Sequence, residues 1–167
     1  VSYQGKQARI GADSDGGWIA SVDGVQGYSF AKTFKAVPGA DYPDGGSSVQ
    51  VYTNSSELPY MDMMVLSPLT QIAQGDSFSF EANWYATKVG GPIIKVTDAA
   101  AIKTHPVVGK SGNEMMVTGE LGVFAPGNLV LEYLSKDGAK LGASQPIKVQ
   151  PGTTVTLRIK ADIPSGA

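Results

Sequence analysis

Glycine and proline interrupt this chain so often, at 21 and 10 of 167 residues, that few windows between them can hold a helix of three turns. The runs left between the breaks are short, alternate in polarity with a period of two, and are rich in Val, Ile, Thr, Tyr and Phe. That is the pattern of half-buried strands, so the chain is expected to be all-β. Strands are expected near 8–12, 18–22, 28–34, 48–53, 60–69 and 77–86, then near 93–96, 114–122, 129–134, 144–149 and 153–159. In "SFSFEANWYA", 77–86, Phe78, Phe80, Ala82 and Trp84 share one face and Ser77, Ser79, Glu81 and Asn83 the other, which puts Trp84 in the core. "KDG" at 136–138 and "QPGT" at 150–153 read as hairpin turns of a meander. The one helix expected is 97–105, "TDAAAIKTH", capped by Thr97 or Asp98 and ended by Pro106.

The texture changes at "TKVGGPIIKV", 87–96, where Gly-Gly-Pro breaks the alternation. This divides the chain into 1–90, an antiparallel β-sandwich part, and 91–167, a smaller immunoglobulin-like β-sandwich region.

Charge and composition narrow the chemistry. The 13 basic and 15 acidic residues are scattered singly for a net charge of −2, so no basic stripe exists to neutralise a phosphate backbone, and nucleic acid is not an expected partner. Cys is absent and His occurs once, which removes thiolate nucleophiles, disulfides and the clusters that zinc sites use. No metal and no cofactor are expected; Asp13 and Asp15 in "GADSDGG" lack the later bidentate Glu of a calcium loop. No apolar run approaches the roughly 20 residues of a membrane-spanning helix.

The ordered blocks "GWIAS", "YSFAKTF", "YPDGGSSVQVYTN" and "LPYMDMMVLSPLTQIAQGDSFSFEANW" resemble the C-terminal part of uncharacterised domain proteins of the galactose-mutarotase-like superfamily, over about residues 11–86. The resemblance implies part of an antiparallel supersandwich with carbohydrate bound above one sheet. It implies further strands supplied by another chain or an N-terminal segment, and a periplasmic or extracellular setting. In mutarotases of that superfamily a Glu acts as general base and a His donates to the ring oxygen. Where the related pattern reads Glu-x-Glu, this chain has Asp62-Met63-Met64, and its one His, His105, falls outside the matched blocks. A thioether at Met64 moves no proton.

The candidate residues follow. Asp62 is the candidate base; along its strand it shares a side with Tyr60, Met64 and Leu66, opposite Met61, Met63 and Val65. Lys32, between Phe30 and Phe34, Tyr42 and Asp44 in the Pro-Asp-Gly turn, and Trp18 are the candidate substrate-binding residues. The expected function is carbohydrate binding by a mutarotase-like sandwich without a complete catalytic pair. The alternatives are a fragment of a carbohydrate epimerase that uses Asp62 as base, and an adhesion module completed by a partner chain.

Overall fold

A computed structural model describes residues 1–161. Among them the fold is all-β with antiparallel sheets. The strands are β1 (Ala8–Ala12), β2 (Trp18–Val22), β3 (Tyr28–Phe34), β4 (Val49–Thr53), β5 (Met61–Val65), β6 (Ala82–Lys88), β7 (Lys95–Val96), β8 (Ala100–Ser111), β9 (Glu114–Val123), β10 (Gly127–Leu129), β11 (Glu132–Leu134), β12 (Lys140–Ala143), β13 (Ile147–Val149) and β14 (Val155–Lys160). They pair in the orders β1-β4-β5, β2-β3-β6, β14-β9-β8-β7, β10-β13 and β11-β12. The described residues form two compact units, one of residues 1–21 and 30–85 and one of residues 22–29 and 86–161.

In the first unit two layers face each other. Val49 and Met63 from β4 and β5 are buried against Ile19 and Phe34 from β2 and β3, with Phe30, Val51, Val65, Phe80 and Ala82 packed around them. The register fixes which side of the sheet this is: Ile10, Val51 and Met63 stand in one row, Ala12, Val49 and Val65 in another. Because side chains alternate across a strand, the alternate rows, Arg9–Tyr52–Asp62 and Gly11–Gln50–Met64, point away from the core. The alternation that puts Asp62 opposite Met61, Met63 and Val65 thus has a structural counterpart.

In the second unit Ala100, Leu121, Val123 and Leu157 form the core, with Ile102, Val155 and Ile159 on the same face and Leu129 and Val149 from β10 and β13 packed on it. The segment 97–105 is not a helix. Thr97 accepts hydrogen bonds from the N–H groups of Ala99 and Ala100 at 3.3 and 3.1 Å, and its own N–H donates to Ala100 O at 2.9 Å. The cap-like threonine therefore closes the turn between β7 and β8, in which Val96 opposes Ala101. The small residues that follow enter a strand because β9 offers a full ladder, from Ala100 opposite Val123 to Ser111 opposite Glu114. The register slips between Ile102 and Thr104 and again between Thr104 and Val107, and this second irregularity accommodates Pro106, which has no N–H for a ladder. A side chain at Gly119 would meet the Pro106 backbone at 3.1 Å, so a glycine stands where the irregular strand presses on β9.

Three other expectations shift. The strand expected at 77–86 is β6, 82–88; Phe80 reaches the core from the segment before β6, its ring centroid 6.1 Å from that of Phe34. Trp84 is 67% exposed and not in the core, because no layer lies over that part of β6. "QPGT" is not a hairpin turn: it links β13, which pairs with β10, to β14, which pairs with β9. "KDG" does close a hairpin between β11 and β12, with Gly138 N–H donating to Ser135 O at 2.9 Å.

Candidate functional site

The outward face of the β1-β4-β5 sheet brings together two tyrosines, an arginine and an aspartate. Tyr52 sits in the middle strand, opposite Arg9 on one side and Asp62 on the other. Its ring lies 5.8 Å from that of Tyr60, which the hairpin between β4 and β5 brings back beside it through a hydrogen bond from Asn54 N–H to Tyr60 O at 3.0 Å. The Tyr52 hydroxyl accepts from Gln7 Nε2 at 2.8 Å and donates to Asn54 Oδ1 at 3.3 Å, so the ring is held from both flanks. The Arg9 guanidinium lies over the same ring, 5.9 Å from its centroid. Partial desolvation, the neighbouring Tyr52 and the Asp62 carboxylate together raise the Tyr60 phenol above its ordinary 10.0.

Next to this aromatic pair is a concavity of about 260 Å³ lined by Arg9, Gly11, Asp44, Ser47 and Gln50. Asp44 stands in the turn 43–46 with φ 52° and ψ 46°, the one non-glycine residue with positive φ among those described. Short acids tolerate this left-handed conformation better than most side chains. Here it lets the carboxylate accept from Gln50 Nε2 at 2.6 Å while Ser47 Oγ donates back to Asp44 O at 3.2 Å. Gly11 makes the hollow possible, since a side chain there would run into Ser47 Oγ at 2.2 Å.

Two of the sequence-predicted residues, Asp62 and Asp44, thus belong to one continuous face. The other three lie elsewhere. Tyr42 is 7% exposed and its hydroxyl accepts from Val37 N–H at 3.0 Å, an internal brace for the 37–42 loop. Trp18 is half-buried with its indole against Gly16, and Ser14 bonds both its N–H, at 3.2 Å, and its carbonyl, at 2.8 Å. Lys32 donates to Met63 O at 2.6 Å and lies 4.4 Å from the Trp84 ring centroid, with the Phe30 ring perpendicular to the indole at a centroid distance of 5.8 Å. The ammonium is therefore occupied by a carbonyl and an indole face.

Arg9, Tyr52, Tyr60, Gln7 and Gln50 were not among the residues that sequence alone singled out. Gln7 and Tyr52 are 45 residues apart, and only the pairing of β1 with β4 brings them together. The alternation of "SVQVYT" does carry a signal, since Gln50 and Tyr52 stand on the side opposite Val49 and Val51.

The second unit has a larger open groove of about 810 Å³, with Asn128, Ile147, Lys148, Gln150 and Thr154 among its lining residues. It contains no aromatic ring and no carboxylate. Among the described residues no group of three or more His, Asp or Glu side chains is placed to hold a metal ion. No described helix is long and apolar enough to cross a membrane. Protein-family models, curated proteins and solved structures give no match to this chain.

Proposed function

We propose that the first unit binds carbohydrate on the outward face of its β1-β4-β5 sheet, as a mutarotase-like sandwich that has kept the surface and lost the catalytic pair. The observation that carries this reading is the Tyr52–Tyr60 pair, rings 5.8 Å apart on an open sheet, bordered by Arg9, Gln7, Gln50, Asp44 and Asp62. A sugar presents a C–H face and a rim of hydroxyls. Amphipathic rings suit the first and short, fixed polar groups the second. The Tyr52 ring, Gln7, Gln50 and Asp44 are held by hydrogen bonds within the protein, which reduces the ordering cost of binding.

Binding without turnover is favoured by the surroundings of Asp62. General acid–base work on a sugar needs a second proton-transfer group across the ring. Two positions along β5 from Asp62 the same face carries Met64, and the nearby Tyr60 phenol is raised, a poorer acid at neutral pH. The reading includes a periplasmic or extracellular setting, where such ligands are met.

A glycan array with the full chain, followed by calorimetric titration of the best ligand, tests the reading. Saturable binding by the wild type that weakens about tenfold or more in Tyr52→Ala supports it. Silence across the array removes it.

A further inference from the structure

The candidate face holds one strong hydrogen-bond donor that nothing in the unit uses. Among the described residues the ion pairs are Lys103–Glu120, Lys140–Glu132 and Lys160–Glu114, and none involves Arg9. The Arg9 guanidinium lies over the Tyr52 ring, 5.9 Å from its centroid, and lines the concavity with Asp44 and Gln50. The Tyr52 hydroxyl is engaged by Gln7 and Asn54. One oxygen of Asp44 is taken by the Gln50 amide. A planar, five-donor fork backed by an aromatic ring and left without an anion matches a carboxylate of the ligand, which it can hold by two parallel bonds.

We infer that the saccharide recognised here is an acidic one, a uronate-containing oligosaccharide whose carboxylate sits on Arg9 while an adjoining ring lies on Tyr52 and Tyr60. The inference rests on the carbohydrate-binding reading above. The two acids of the face sharpen it. Asp62, opposite Tyr52 on the far strand, and Asp44, in the concavity, repel a ligand carboxylate, which favours its placement on Arg9 and sets the ligand's direction along the sheet. A neutral sugar leaves the guanidinium without its anion and has no such preference.

The test uses trigalacturonate and its fully methyl-esterified form, which has the same ring and linkage but no charge, titrated into the full chain at low and moderate salt. The acid is expected to bind roughly tenfold tighter than the ester at low salt, with the gap narrowing as salt rises. In Arg9→Gln acid and ester are expected to bind alike, and Arg9→Lys to restore part of the difference, because an ammonium keeps the charge and loses the fork. Arg9 lies on an exposed edge strand, so these variants keep the core intact, which circular dichroism checks. Equal binding of acid and ester by the wild type, or a preference that survives in Arg9→Gln, overturns the inference and leaves carbohydrate binding standing. Binding of neither compound, together with silence on a glycan array, removes both.

Discussion

The two units solve the same packing problem and differ on the sheet face that the core does not use. In each, one side of an antiparallel sheet is buried under a second layer, by Val49 and Met63 in the first unit and by Leu121, Val123 and Leu157 in the second. The opposite side of β14-β9-β8-β7 is self-sufficient. Near one end Thr87 donates to Val123 O at 2.8 Å, and a side chain at Gly122 would strike Thr87 at 2.6 Å, so β6 covers that part closely. Farther along, Lys103 and Glu120 pair at 2.9 Å, and Thr118 and Arg158 oppose each other. The opposite side of β1-β4-β5 is left open instead, with two tyrosine rings, an Arg that has no carboxylate partner and a left-handed Asp beside a hollow. Where a surface satisfies its own charges it has little left for a ligand. The carbohydrate-binding proposal rests on that difference.

If that contrast is sound, core substitutions should strike the units alike and face substitutions should not. Leu157→Ala, at a position 2% exposed, and Met63→Ala, at one 8% exposed, are each expected to cost about 2–5 kcal/mol in urea unfolding. A cost near zero for either would break the symmetry of the two cores. Gly11→Ala is expected to cost about 1–3 kcal/mol, because its Cβ must displace Ser47, and to weaken saccharide binding by closing the hollow. On the faces, Tyr52→Ala is expected to weaken binding about tenfold, whereas Arg158→Ala in the second unit leaves it unchanged. Lys103→Met removes a half-exposed ion pair and is expected to change stability by at most about 1 kcal/mol, read from the same urea curves.

The smallest effect concerns pH. The Tyr60 phenol is raised above 10.0 in the fold, so the neutral form is favoured by folding. Its contribution to stability is complete below the ordinary phenol range and is lost as pH rises through the raised value. Phenolate absorbance during alkaline titration should therefore lose a late-titrating component in Tyr60→Phe; an unchanged late component would separate Tyr60 from its partners Tyr52 and Asp62.

Strand positions were the part most legible in the sequence, because alternation is a local signal: β1, β2 and β3 have the bounds that the alternation predicts. The segment 97–105 misled because a threonine that caps a helix and one that closes a β-turn make the same bonds to the next N–H groups, and only pairing with β9 decides between them. Trp84 misled for a related reason. Alternation tells which way a side chain points and not whether a layer lies above it. At the candidate site, Asp62 and Asp44 were legible as acids in a turn and on a strand. Arg9 and Tyr60 were not, since the face exists only once β1 has paired with β4 and the β4–β5 hairpin has folded back.

Amide chemical-shift mapping with an acidic oligosaccharide tests the central claim most directly. The account predicts saturable shifts that gather at Arg9, Gln50, Tyr52, Tyr60 and Asp62 and are absent from the β13–β14 groove. Shifts confined to that groove or to the surroundings of Trp84, or no shifts at saturating ligand, would contradict it.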